Sequence, residues 1–155
     1  MNRREFAALV PVLLAAPGIA DAAEAQASNP QHVVSAQPLP TLKSGQYVWG
    51  AASHPGRPRV SHPFLTGMLP DNIRLEAHVT FLAPGAPPER IEHHKHTEMW
   101  LMREGTATLM TADSTCTLKV GDMGLCVAGD DHYITNASAT EPASYFVVSV
   151  GPPEV

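Results

Sequence analysis

Between Glu92 and Glu98 the chain reads Glu-His-His-Lys-His-Thr-Glu, and a further histidine, His132, follows in a glycine-bounded segment. Imidazole and carboxylate are the usual nitrogen and oxygen ligands of divalent first-row metals. On a strand, side chains alternate faces, so Glu92 and His94 point one way and His93 the other. A turn over Lys95 to Thr97 brings Glu98 back beside them, with Trp100 and Met102 on the same inner face. His132 has to arrive from another strand, and a barrel gathers ligands in this way. Two other arrangements stay open. In one, His94, His96 and Glu98 share the face of an uninterrupted strand, with His132 as fourth ligand. In the other, Glu92 is only a surface carboxylate and the site binds metal weakly or not at all. His96 is the spare titratable group nearest the mouth. Imidazole titrates near neutral pH, so His96 is the candidate catalytic residue.

The elements that must position these residues are short strands. Leu75 to Leu82 alternates and stops at Pro84-Gly85. Further runs cover Met99 to Met102, Thr106 to Met110, Thr115 to Val120, Met123 to Val127, His132 to Thr135 and Ser144 to Val150. A first short strand is expected over Gln46 to Trp49, and Ser53 to Pro63 reads as loop. Glu89 and Arg90 read as solvated loop ahead of the ligand strand. About eight strands at regular spacing, bounded by Gly, Pro and Asn, predict an all-β sandwich or barrel without helices. Asp122, Asp130 and Asp131 sit beside glycines in turns, where Asp bonds the local backbone.

A length of 155 residues suits one domain. The net charge of −5, with no basic cluster beyond the first residues, excludes a nucleic-acid binder. The start of the chain has the pattern of a targeting signal: Arg3-Arg4-Glu5-Phe6, an apolar run from Ala7 to Ala16, then small residues. The apolar run is too short to remain as a membrane anchor. The paired arginines resemble a twin-arginine export signal, which implies a periplasmic or secreted protein. The expected organisation is therefore a signal over 1–27, a flexible arm over 28–44 and one domain over 45–152. Cys116 and Cys126 are read as small buried residues, with pairing as the alternative.

Two spacings carry a family resemblance. Gly85, Glu92, His94, Glu98 and Gly105 fall in the frame G-x(5-6)-H-x-H-x(3,4)-E-x(6)-G, with Glu92 where the first His is usual. Gly121, Val127, Gly129, His132 and Asn136 fall in the frame G-x5-P-x-G-x2-H-x3-N, with Val127 in place of Pro. From about Ser44 to Pro152 the chain thus resembles the small single-domain bacterial cupins. The resemblance implies a double-stranded β-helix, or jelly-roll, barrel that forms a homodimer. It also implies a metal held by Glu92, His94, Glu98 and His132. A second carboxylate hardens the set and favours Mn or Fe(II), with Zn or Ni as other occupants. The function this implies is that of an exported mononuclear metalloenzyme acting on a small molecule. Its reaction would be of dioxygenase, isomerase, decarboxylase or lyase type, because fold does not choose the chemistry. The alternative is a cupin that captures a sugar or organic anion without turnover.

Overall fold

Alternation along the chain builds two antiparallel sheets. In the computed structural model, residues 38–154 are described; the signal segment and most of the arm lie outside them. The strands are β1 (Arg59–Leu69), β2 (Ile73–Leu82), β3 (Glu92–His93), β4 (Thr97–Glu104), β5 (Thr106–Met110), β6 (Thr115–Lys119), β7 (Met123–Cys126), β8 (Asp131–Asn136) and β9 (Ala143–Gly151). One sheet has the order β1-β2-β9-β4-β7 and the other β3-β8-β5-β6. The helical content of the described residues is a single 3-10 turn, Pro70–Asn72.

The expectation for the first strand needs correcting. Gln46 to Trp49 forms no strand, whereas Arg59 to Pro63, read as the end of a loop, begins a strand of 11 residues, Arg59–Leu69. The Pro, Arg and His content of this segment hid it. β1 is an edge strand, and its register shifts between Pro63 and Leu65. An edge or a bulge is where a strand tolerates proline. Tyr47 to Trp49 instead lies against the sheet, with Trp49 stacked on Phe64 and tilted against Phe81. The described end of the arm follows β1, where Thr41 bridges Met68 in parallel.

The two sheets share a core of Leu82, Trp100, Met102, Tyr145 and Val147 from one and Ala107, Leu109, Leu118 and Ile134 from the other. The inner face of the five-stranded sheet changes character along its strands. Glu98 and Glu76 flank Ser149 in one cross-strand row, Trp100 and His78 flank Val147 in the next, and Met102 and Thr80 flank Tyr145 in the third. The interior is therefore polar at one end and apolar at the other. Gly105, at φ +67, makes the tight β4–β5 turn, where an added Cβ would lie 2.2 Å from the Pro142 carbonyl oxygen. The Asn136 side chain donates to the carbonyls of Ala83 and Glu141 and accepts from the Ser138 N–H. It thereby ties the β8–β9 loop to the end of β2. The two cysteines are unpaired: Cys126 is buried, while Cys116, expected inside, is exposed.

Candidate metal centre

β3 and β8 pair so that Glu92 lies directly opposite His132. Such neighbours on one face sit close enough to share an ion. After His93 the chain leaves this sheet and enters the other at Thr97, so the uninterrupted-strand arrangement does not form. His94 lies in the crossing, pinned where its carbonyl accepts the Gly129 N–H at 2.8 Å. Ligand atoms of Glu92, His94 and His132 come within 4.8 Å of one another. His94 Nε2 is 2.9 Å from Glu92 Oε2, so Glu92 is engaged in the site and not a free surface carboxylate. His93 is exposed and meets Asp131.

Glu98 also approaches His132. Its Oε2 is 3.3 Å from His132 Nε2, while its Oε1 accepts from Ser149 Oγ at 2.8 Å and from His96 Nε2 at 3.1 Å. Burial pushes its carboxyl up, but His132, His96 and Ser149 outweigh that and hold it well below the usual range. His96 does not sit at an open mouth. It is 5% exposed, stacked on His94 at 4.4 Å between ring centroids. Its Nδ1 faces Glu154 Oε1 at 3.0 Å. A carboxylate oxygen thus lies within hydrogen-bond distance of each ring nitrogen.

Glu154 is the residue that sequence reasoning missed. It lies beyond the last strand, accepts the Lys95 N–H at 2.7 Å and, with His94 and His96, forms a second group of potential ligands. Only its carboxylate, in a tail after Pro152-Pro153, could have signalled it. Glu89 is likewise not a solvated loop residue: it is largely buried and pairs with Arg59.

His132 supplies the test of whether a metal fits. Its Nδ1 is 3.2 Å from the Asp130 carbonyl, which can only accept, so Nδ1 carries the hydrogen. In the neutral ring Nε2 then presents a lone pair. Among the described residues that buried Nε2 has no aligned hydrogen-bond partner, and the 3.3 Å approach to Glu98 is a charge contact only. A lone pair oriented by a backbone carbonyl and aimed at a second imidazole and a carboxylate matches the donor set of a divalent metal. The structure therefore fits a metal at Glu92, His94 and His132. Contact with Glu92 comes first among the causes that raise His94 above its ordinary value. His132 is also raised: burial works downward but is outweighed by Glu98 and the Asp130 carbonyl.

A two-sheet barrel with inward His and Glu residues at its polar end defines the class of β-barrel proteins that hold a small ligand or metal inside. The Cupin domain family matches residues 78–149, and this chain belongs to the cupin superfamily. Among solved structures, an RmlC-like cupin from Shewanella frigidimarina is similar at 17% identity and TM-score 0.56, over 72% of this chain and 95% of that one. The protein TT1209 from Thermus thermophilus is similar at 21% identity and TM-score 0.53, over 64% and 89%. A cupin sugar phosphate isomerase from Silicibacter pomeroyi is similar at 21% identity and TM-score 0.50, over 69% and 73%. No curated protein matches the chain. At these identities the likeness establishes the fold.

Proposed function

We propose that this cupin is an exported metalloenzyme that holds one divalent metal, Mn or Fe(II), through Glu92, His94 and His132, with Glu98 as fourth ligand. The observation that carries the reading is His132 Nε2, buried and without a hydrogen-bond partner among the described residues, with ligand atoms of Glu92, His94 and His132 within 4.8 Å of one another. Such an ion would supply Lewis acidity toward an oxygen atom of a small substrate. Glu92 and Glu98 balance the ion's charge. Ser149 and His96 fix the Glu98 carboxylate by donating to it. His96, between Glu98 and Glu154, is the group placed to hold or pass a proton at Nδ1 or Nε2, which is its proposed catalytic role. Reaction type stays within the dioxygenase, isomerase, decarboxylase and lyase set.

Metal content by mass spectrometry of protein purified without chelator tests the reading. We expect near one equivalent in the wild type, lost in Glu92→Ala and His132→Ala and retained in His96→Ala. Loss in His96→Ala with retention in Glu92→Ala moves the site to His94, His96 and Glu154. A metal-free wild type retires the metalloenzyme reading in favour of the runner-up, capture of a sugar or organic anion. A homodimer in the periplasm is the proposed state. Export rests on the arginine pair and apolar run at the start of the sequence, and dimerisation on the apolar outer face of the larger sheet.

A further inference from the structure

Arg59 crosses the barrel interior. It starts on the edge strand β1 and reaches Tyr145 on β9, donating to the hydroxyl oxygen. It also reaches the opposite sheet, where it donates to the Ile134 carbonyl at 2.8 Å. Ile134 lies two residues along β8 from His132, so the guanidinium sits one step deeper than the candidate metal ligands. Its remaining partner is the Glu89 carboxylate. Side-chain exposure is 19% for Arg59 and 20% for Glu89, so the pair is mostly withdrawn from water without being sealed from it.

This is an unusual place for a cation. Glu76, Glu92 and Glu98 occupy the polar end of the interior, where Arg74 is paired with Glu76. A buried guanidinium is costly without an anion, and its planar fork matches a carboxylate. Tyr145 accepts from Arg59, so its own hydroxyl hydrogen remains to be donated. Burial holds that phenol protonated far above its ordinary range. Glu89 is a poor permanent partner. Burial, with Glu92 and Glu98 adding to it, pushes its carboxyl up to about 7 against the pull of Arg59 and His132. Burial therefore weakens the charged form of Glu89 that the guanidinium pairs with.

We propose that Arg59 and the Tyr145 hydroxyl anchor the carboxylate of a small organic acid inside the barrel, and that Glu89 occupies this anchor until the acid replaces it. The inference deepens the metal-centre reading, since an acid held there lies beside His132, but the anchor itself needs no metal.

The test is titration calorimetry with malonate on the full chain, as purified and after chelator treatment, with metal content measured on each sample. Binding is expected to survive chelation. Arg59→Gln is expected to weaken it by about tenfold or more and Tyr145→Phe by less, as charge-assisted contacts exceed neutral ones. Glu89→Gln is expected to tighten it, because the competing carboxylate is gone. If Arg59→Gln does not fold, Glu89→Gln and Tyr145→Phe still decide. Unchanged affinity in both, or binding abolished by chelator in every sample, overturns the anchor. Wild type that carries no metal as purified and still shows Arg59-dependent binding overturns the metal centre and supports the anchor.

Discussion

Glu89 shows how a single buried carboxyl sets a pH dependence. Burial is the main cause of its upward displacement, from 4.5 to about 7. The folded protein therefore binds the proton more tightly than the unfolded chain. That contribution to stability is complete below about pH 4.5 and is lost as pH rises through about 7. Over this window wild-type stability should fall with rising pH relative to Glu89→Gln, and denaturant midpoints measured across it check the sign. A parallel pair of curves would mean that Glu89 is ordinary in the folded state. Glu92, His94 and His132 were legible as candidate ligands because their spacing matches strand alternation and two glycine-bounded frames. Glu89 and Arg59 were not, because their meaning comes from a pairing 30 positions apart in sequence.

At the scale of elements, the site depends on the crossing between β3 and β4 passing close to the end of β9. A Cβ added at Gly151 would lie 2.7 Å from both Cα and Cβ of His96 and 3.2 Å from the Lys95 carbonyl oxygen. Neither backbone can yield without moving the His94–His96 segment. Gly151→Ala should therefore lower stability by about 1–3 kcal/mol, the usual cost of overpacking, and reduce bound metal. Melting temperature and metal content together check this, and an unchanged metal content would mean that the crossing adjusts independently of the ligands. Most strands were legible from alternation and their terminating glycines: β2 and β5 to β9 lie close to the predicted bounds. β1 was not, since its Pro63 is acceptable only because β1 is an edge with a bulge. Which sheet each strand joins was also hidden, and that decides whether His94 and His96 lie on a strand or in a crossing.

At the scale of the molecule, the outer face of the larger sheet is apolar across adjacent strands. Phe146, Leu101 and Met123 form one cross-strand row, and Leu101 and Met123 are 44% and 65% exposed. Beside them Tyr47, Trp49 and Phe64 line an open groove of about 620 Å³, away from the candidate metal ligands. An exposed apolar patch of this kind marks an association surface. The double substitution Leu101→Lys with Met123→Lys should convert the proposed dimer to a monomer of unchanged fold, measured by light scattering and circular dichroism. A wild type that is already monomeric would retire the dimer.

Sequence by itself determined the fold class and the ligand candidates. Strand alternation, turn glycines and the two motif spacings are local properties, each read within a few residues. The tertiary structure decided the rest: that Glu154 returns to His96, that Glu98 turns one oxygen to His96 and the other to His132, and that Arg59 spans the interior to Tyr145 and Ile134. The physical reason is that these contacts join residues distant in the chain. Only the closure of two sheets on each other brings them within hydrogen-bond reach, and only burial between those sheets changes how their carboxyl and imidazole groups hold protons.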